Sequence, residues 1–211
     1  MTKREERLQN LYAFDAQYEN PFLCGVDEAG RGCLAGPVFA AAVILPNQPW
    51  PQDLNDSKKI AEPKRYTLAE EIKNLAQWGI GMASPQEVDK IGIQKANFLA
   101  FQRALDHLAE QFDLRPNRIL IDGNYKNTGI DFSESVVKGD TKSACIAAAS
   151  ILAKAGRDQY VIDHYESQAP EYGFAKHKGY GTKQHREAIL THGLTPWHRK
   201  TFCRNLTGGQ S

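Results

Sequence analysis

The chain has 211 residues, 41% hydrophobic and 24% charged, with 26 lysines and arginines against 25 aspartates and glutamates. That balance describes an ordinary folded chain and excludes disordered, collagen-like and fibrous classes. The longest apolar run, Pro37 to Leu45, falls well short of the roughly 20 residues of a membrane span, and MTKREERLQN lacks a signal-peptide core, so no membrane contact and a cytoplasmic location are expected.

In chain order, short apolar runs closed by turn residues or acids predict strands over Phe22 to Asp27, Pro37 to Leu45, Trp78 to Ala83 and Arg118 to Asp122, with Ser135 to Lys138 a candidate fifth. Between them, Pro63 opens KRYTLAEEIKNLA, Ser84-Pro85-Gln86-Glu87 forms a capping box, and Ile91 to Phe112 keeps apolar residues at helical spacing. The first two strands are joined by a short Gly-rich stretch, which suits an antiparallel hairpin, while helices separate the later ones. The expected fold class is therefore α/β, a mixed sheet flanked by helices. From Ser143 the chain turns helical, and the small residues of SACIAAAS allow a neighbouring backbone to approach closely. Beyond Pro170 come a loop, KHKGYGT, a short helix over Lys183 to Thr191 and a tail containing Pro196. Without a linker or repeat, a single domain over 1–211 is expected, its core at about 20–170 and a basic helical extension at about 171–204.

The net charge of +1 is unevenly placed: residues 171–204 carry +5, with His177, His185, His192, His198 and five aromatics interleaved. Such a stretch suits phosphates and sugar faces, or simply a solvated helical face. The histidines lack zinc-ligand spacing and read as nucleic-acid contacts or packing. Cys24, Cys33, Cys145 and Cys203 form no C-x-x-C pair and read as reduced thiols.

Four acids stand at element ends. Asp27-Glu28 precedes Ala29-Gly30-Arg31-Gly32, Asp122 ends RILID, and Asp140 precedes the long helix. Carboxylates at strand ends can converge at one sheet edge, and their hard oxygens suit Mg²⁺ or Mn²⁺. Adjacent strand residues point to opposite faces, so Asp27 and Glu28 share a site only if the strand breaks there. Singly, Asp122 also reads as a turn residue, Asp140 as a helix cap and Asp27-Glu28 as a solvated strand end. The Gly30, Gly32, Gly36 spacing approaches a dinucleotide fingerprint, but two acids before the loop would repel a pyrophosphate and a strand follows instead of a helix.

GVDEAGRGCLAGPVFAAAVIL at residues 25–45 closely resembles the signature of type 2 ribonucleases H, specifically bacterial ribonuclease HII. Asp56-Ser57-Lys58-Lys59, Ile121-Asp122-Gly123-Asn124, Val137-Lys138-Gly139-Asp140, residues 143–154, His177-Lys178-Gly179-Tyr180 and His198-Arg199 with Phe202 follow in the family's order. Ile60 and Thr201 stand where leucine and serine are usual.

The resemblance implies an endoribonuclease that hydrolyses the RNA strand of RNA/DNA hybrids and nicks duplex DNA 5′ of embedded ribonucleotides, with roles in ribonucleotide and RNA-primer removal. It implies that Asp27, Glu28, Asp122 and Asp140 hold two divalent ions, Mg²⁺ or Mn²⁺. Gly30, Arg31 and Gly32 resemble a backbone loop reading the 2′-hydroxyl, by which a protein tells RNA from DNA. Tyr180 resembles a tyrosine packing on the next deoxyribose; the other reading is a core aromatic anchoring the tail. Lys58, Lys59, Lys178 and Arg199 are candidate phosphate contacts. A non-catalytic hybrid-binding module and a DNA nuclease of the same fold are the alternatives. Four acids near the phosphates weigh against the first, a 2′-hydroxyl reader against the second. RNLTGGQS contains no recognisable sliding-clamp peptide, and a monomer without an evident protein partner is expected.

Overall fold

The computed structural model describes residues 1–20, 22–47, 51–55, 57–206 and 208, so Asp56 and part of the C-terminal RNLTGGQS lie outside the described residues. One mixed sheet contains β1 (Leu23–Ala29), β2 (Val38–Ile44), β3 (Gln77–Ala83), β4 (Arg118–Asp122) and β5 (Ser133–Val136) in the order β3-β2-β1-β4-β5. The first three strands form an antiparallel meander, whereas β4 pairs parallel with β1 and β5 parallel with β4. Around them lie α1 (Lys3–Ala16), α2 (Glu62–Leu75), α3 (Pro85–Ile91), α4 (Ile93–Phe112), α5 (Ala144–Val161), α6 (Phe174–His177), α7 (Lys183–His192) and α8 (Lys200–Cys203).

The sheet is covered on both faces, which explains why β2 is apolar throughout instead of alternating. Its Ala41 and Val43 join Ala147, Ala148 and Ile151 of α5, while Ala40 and Ala42 join Ala100, Ala104 and Leu108 of α4. The small residues opening α5 permit contact with β1 at backbone distance: a Cβ on Gly25 would lie 2.2 Å from the Cys145 carbonyl carbon. The central helix expected from SACIAAAS therefore sits where that composition implies.

Other elements depart from the sequence pattern. Helix α1 was not expected from its sequence, which opens on five charged residues, yet Thr2 and Glu5 form a reciprocal capping box, Leu8 and Leu11 are buried, and Asp15 accepts the Cys145 N–H at 2.9 Å. The periodic run from Ile91 is split at Gly92, whose φ of 80° ends α3 before α4 begins. Strand β5 lies earlier than Ser135 to Lys138, because Lys138 turns left-handed at φ 55° and starts a 3₁₀ turn. The basic segment packs onto the body: Leu34 and Val161 share a core with Tyr172, Phe174, Ile189 and Cys203. The four cysteines are buried free thiols, and among the described residues no helix is long and apolar enough to cross a membrane.

Candidate active site

Parallel pairing sets Val26 opposite Ile121, so Asp27, near the end of β1, stands beside Asp122, the last residue of β4. The 3₁₀ turn Gly139–Thr141 brings in Asp140, and the Gly139 N–H donates to Asp122 Oδ1 at 2.6 Å. All four predicted acids line one cleft of about 210 Å³, with Gly30, Arg31, Gly32, Ser57, Lys58, Lys154 and Tyr180 on its walls. The strand does not break at Asp27-Glu28; β1 continues to Ala29, and the turn comes at Gly30 with φ 89°. The two acids meet because the cleft lies over the strand end and takes side chains from both faces.

Burial, then the charges of Glu28 and Asp122, hold the Asp27 carboxyl well above the usual range. Glu28 is also raised by burial, with Asn97 and Arg31 opposing the shift. Among the described residues no three His, Cys, Asp or Glu side chains close around one point. The donor chemistry nonetheless fits hard divalent ions. Asp27 and Asp122 each commit one oxygen to a backbone amide, and buried Glu28 Oε2 has no hydrogen-bond partner.

The Gly-rich loop is fixed from beneath by two buried guanidiniums. Arg157 donates to the carbonyls of Pro37, Ala35 and Lys178, and Arg199 donates to those of Gly36 and Arg31. Gly30 is needed twice over: its φ is left-handed, and a Cβ there would lie 1.9 Å from Arg157 Nε. The amides of Cys33, Leu34, Ala35 and Gly36 bond to backbone carbonyls; those of Arg31 and Gly32 stand outside this set, at the cleft. The Arg31 guanidinium leans over Tyr125 and donates to its hydroxyl at 3.0 Å.

Tyr180 is half-buried on the cleft wall. Lys154 Nζ lies 4.5 Å from its ring centroid, donates to its hydroxyl at 3.2 Å, and pairs with Asp158 at 2.8 Å. The tyrosine is thus a wall residue of the cleft rather than a core anchor. Burial pushes its hydroxyl up to about 12, so it enters the cleft protonated at neutral pH.

The candidate phosphate contacts separate. Lys58 is exposed on the cleft wall, and Lys59 is exposed without lining it. Arg199 must be corrected: it is 0% exposed, burial holds it down at about 10, and its donors face loop carbonyls, so it shapes the loop instead of meeting phosphate. Lys178 is likewise buried, with its ammonium 3.0 Å from Glu62. Of the histidines, His177, His185 and His198 are buried, which resolves them to packing, while His192 is exposed. Sequence reasoning passed over Lys154, although it is the only charged residue in the first eleven positions of α5. Ser57 entered only as part of the Asp56-to-Lys59 motif, and Asn97 and Tyr125 left no comparable signal.

The ribonuclease HII family model matches residues 24–205. A ribonuclease HII from Parabacteroides distasonis is 55% identical over 180 residues, covering 84% of this chain and 88% of the relative. The crystal structure of ribonuclease H2 from Pyrococcus horikoshii superposes with a TM-score of 0.71 at 22% identity, covering 88% and 97% of the two chains. A Bst-RNase HIII solved in complex with Mn²⁺ gives 0.63 at 19% identity, over 85% of this chain and 64% of that one.

Proposed function

The chain belongs to the ribonuclease HII family, hydrolases acting on RNA/DNA hybrids, and on that premise we propose that it also nicks duplex DNA on the 5′ side of embedded ribonucleotides, leaving 5′-phosphate and 3′-hydroxyl ends. The observation that carries this reading is the meeting of four carboxylates, the Gly30-Arg31-Gly32 loop and Tyr180 in one cleft. Asp27, Glu28, Asp122 and Asp140 would hold two divalent ions, Mg²⁺ or Mn²⁺, which supply an activated water and stabilise the departing 3′-oxygen of an in-line displacement.

The chain's own residues choose the sugar. The N–H groups at Arg31 and Gly32 lie where a backbone with no Cβ at position 32 can approach a 2′-hydroxyl, which DNA lacks. The Tyr180 ring supplies a flat face for the following deoxyribose, and Lys154 holds its hydroxyl in place. Lys58 brings a positive charge to the cleft rim for the phosphate backbone, with exposed Lys59 beside it. Arg157 and Arg199 act through the loop they brace. Removal of ribonucleotides and RNA primers from DNA follows from this specificity.

Metal removal tests the reading. Cleavage of an RNA/DNA hybrid should vanish in excess chelator, return with Mg²⁺ or Mn²⁺, and be suppressed by Ca²⁺, whose looser coordination orients water poorly. Undiminished cleavage in chelator contradicts it.

A further inference from the structure

Behind Tyr180, two buried histidines form an ordered hydrogen-bond chain and a third stacks against it. The Thr195 N–H donates to His198 Nδ1 at 2.9 Å, His198 Nε2 lies 3.0 Å from His185 Nε2, and His185 Nδ1 lies 3.0 Å from the Tyr180 carbonyl. His177 stacks on His185 with ring centroids 4.2 Å apart; its Nδ1 accepts from the Gly179 N–H and its Nε2 faces the Tyr172 carbonyl at 2.8 Å. The Tyr180 N–H in turn donates to the His177 carbonyl at 2.8 Å.

The Thr195 hydroxyl also lies 2.8 Å from His198 Nδ1 and accepts from the Trp197 N–H at 3.3 Å; with the Thr195 amide donating to the same nitrogen, the proton arrangement follows from the donors and acceptors in turn. His198 Nδ1 receives an amide proton, so its own proton sits on Nε2 and points at His185. His185 Nε2 must then accept, which places the His185 proton on Nδ1, aimed at the Tyr180 carbonyl. By the same logic His177 carries its proton on Nε2. An added proton on His185 Nε2 would face the His198 N–H, so neutral rings are required. Burial agrees, holding both His185 and His198 down at about 4. The ionisable groups around the cluster are Glu166 and Lys178 at His177, His192 beside Tyr172, and Arg199 next to His198 in the chain.

We propose that His198 and His185 are positioning residues: a neutral, one-directional relay that fixes the Tyr180 backbone, and hence the ring, against the cleft. This rests on Tyr180 reading the sugar. The relay explains why three histidines are buried within one loop and helix cluster, and it ties the end of the chain, through Thr195 and His198, to the substrate wall.

Nitrogen-15 spectra of the full chain labelled at histidine read the relay itself. The expected pattern at pH 7 is a proton on Nε2 of His198 and His177 and on Nδ1 of His185, with His185 and His198 still neutral at pH 5.5. A charged ring, or the other tautomer of His185, overturns the relay. Kinetics read its purpose. His185→Phe should lower kcat/KM on a single-ribonucleotide duplex about tenfold, and less on a continuous hybrid, consistent with one lost hydrogen bond and a misplaced ring. His185→Asn, whose amide can still donate to the Tyr180 carbonyl, should recover most of the loss. In a Tyr180→Ala background, His185→Phe should cost less than about twofold more, since a positioning residue acts only through what it positions. Additive losses, or no rescue by asparagine, overturn the proposal. Should His185→Phe not fold, as judged by its thermal melt, His198→Asn breaks the same link while keeping an acceptor for Thr195. Full activity of Tyr180→Ala would instead refute the reading of the tyrosine, with the tautomer pattern still measured.

Discussion

Replacing Asp27 by asparagine should abolish cleavage and at the same time stabilise the metal-free protein. Asp27 is 7% exposed, and burial together with Glu28, Asp122 and Asp140 raises its pKa. A carboxyl whose folded pKa lies above its unfolded value holds its proton more tightly in the fold. Its ionised form therefore opposes folding at neutral pH, and stability rises as the pH falls. Asparagine keeps the shape and an oxygen for the Glu28 N–H, now 2.7 Å from Oδ1, while removing the charge. Relief of active-site strain of this kind is worth about 0.5 to 2 kcal/mol, or roughly 1 to 8 °C in Tm for a chain of this size. Catalysis should suffer far more. Loss of about 4 kcal/mol of metal-derived stabilisation corresponds to about a thousandfold in rate. Melts in chelator at pH 7, beside cleavage of a fluorescent RNA/DNA hybrid in Mg²⁺, measure both. A variant that melts lower than the parent refutes the electrostatic reasoning, and one that retains a tenth of the activity refutes the metal assignment.

Gly30→Ala should cost about 1 to 3 kcal/mol of stability and most of the activity, because the Cβ meets Arg157 Nε at 1.9 Å on a left-handed backbone; an unchanged melt and rate would show that the loop yields freely. Acid should weaken the fold through His185 and His198. Their folded pKa of about 4 lies below the unfolded value of about 6.5, so their contribution is full above pH 6.5 and the hydrogen-bonded pair loses on the order of 3 kcal/mol as the pH drops to 4. Melts of Asp27→Asn, which lacks the largest opposing group, should show that decline between pH 6.5 and 4, and a flat profile would contradict it. Tyr180→Phe loses the Lys154 contact at 3.2 Å and should reduce single-ribonucleotide cleavage a few-fold to about tenfold, with a smaller loss on continuous hybrid; equal losses would make the tyrosine a general binding residue.

What was legible in the sequence followed from backbone logic. Strand ends carrying acids, a Gly-rich turn after Asp27-Glu28 and the alanines of α5 each dictate a place in the fold, and all three are in that place. The mixed character of the sheet followed from the helix-separated strands, whereas the parallel register that sets Val26 opposite Ile121 was not legible, because pairing partners are chosen by tertiary packing. Burial of long polar side chains was not legible. Arg199 and Lys178 look like any surface cations, yet one braces a loop and the other pairs with Glu62, because their partners are backbone carbonyls or residues far away in sequence. The +5 stretch belongs to the core as much as to the surface. Cutting the chain after Tyr180 would remove His185, His198 and Arg199 from the packed interior, so it would test folding rather than phosphate affinity. Helix α1 escaped notice because two buried leucines in a charged helix leave too faint a periodicity, although its Thr2-x-x-Glu5 box was present.

The central claim is that one cleft couples sugar recognition to metal-assisted hydrolysis. Its most direct measurement compares a DNA duplex containing one ribonucleotide with its all-DNA twin, at equal length and sequence in Mg²⁺. A single nick on the 5′ side of the ribonucleotide, with the twin intact, is the expected result. Cleavage of both duplexes at similar rates would contradict the claim, as would an intact ribonucleotide duplex under conditions where a continuous RNA/DNA hybrid is cut.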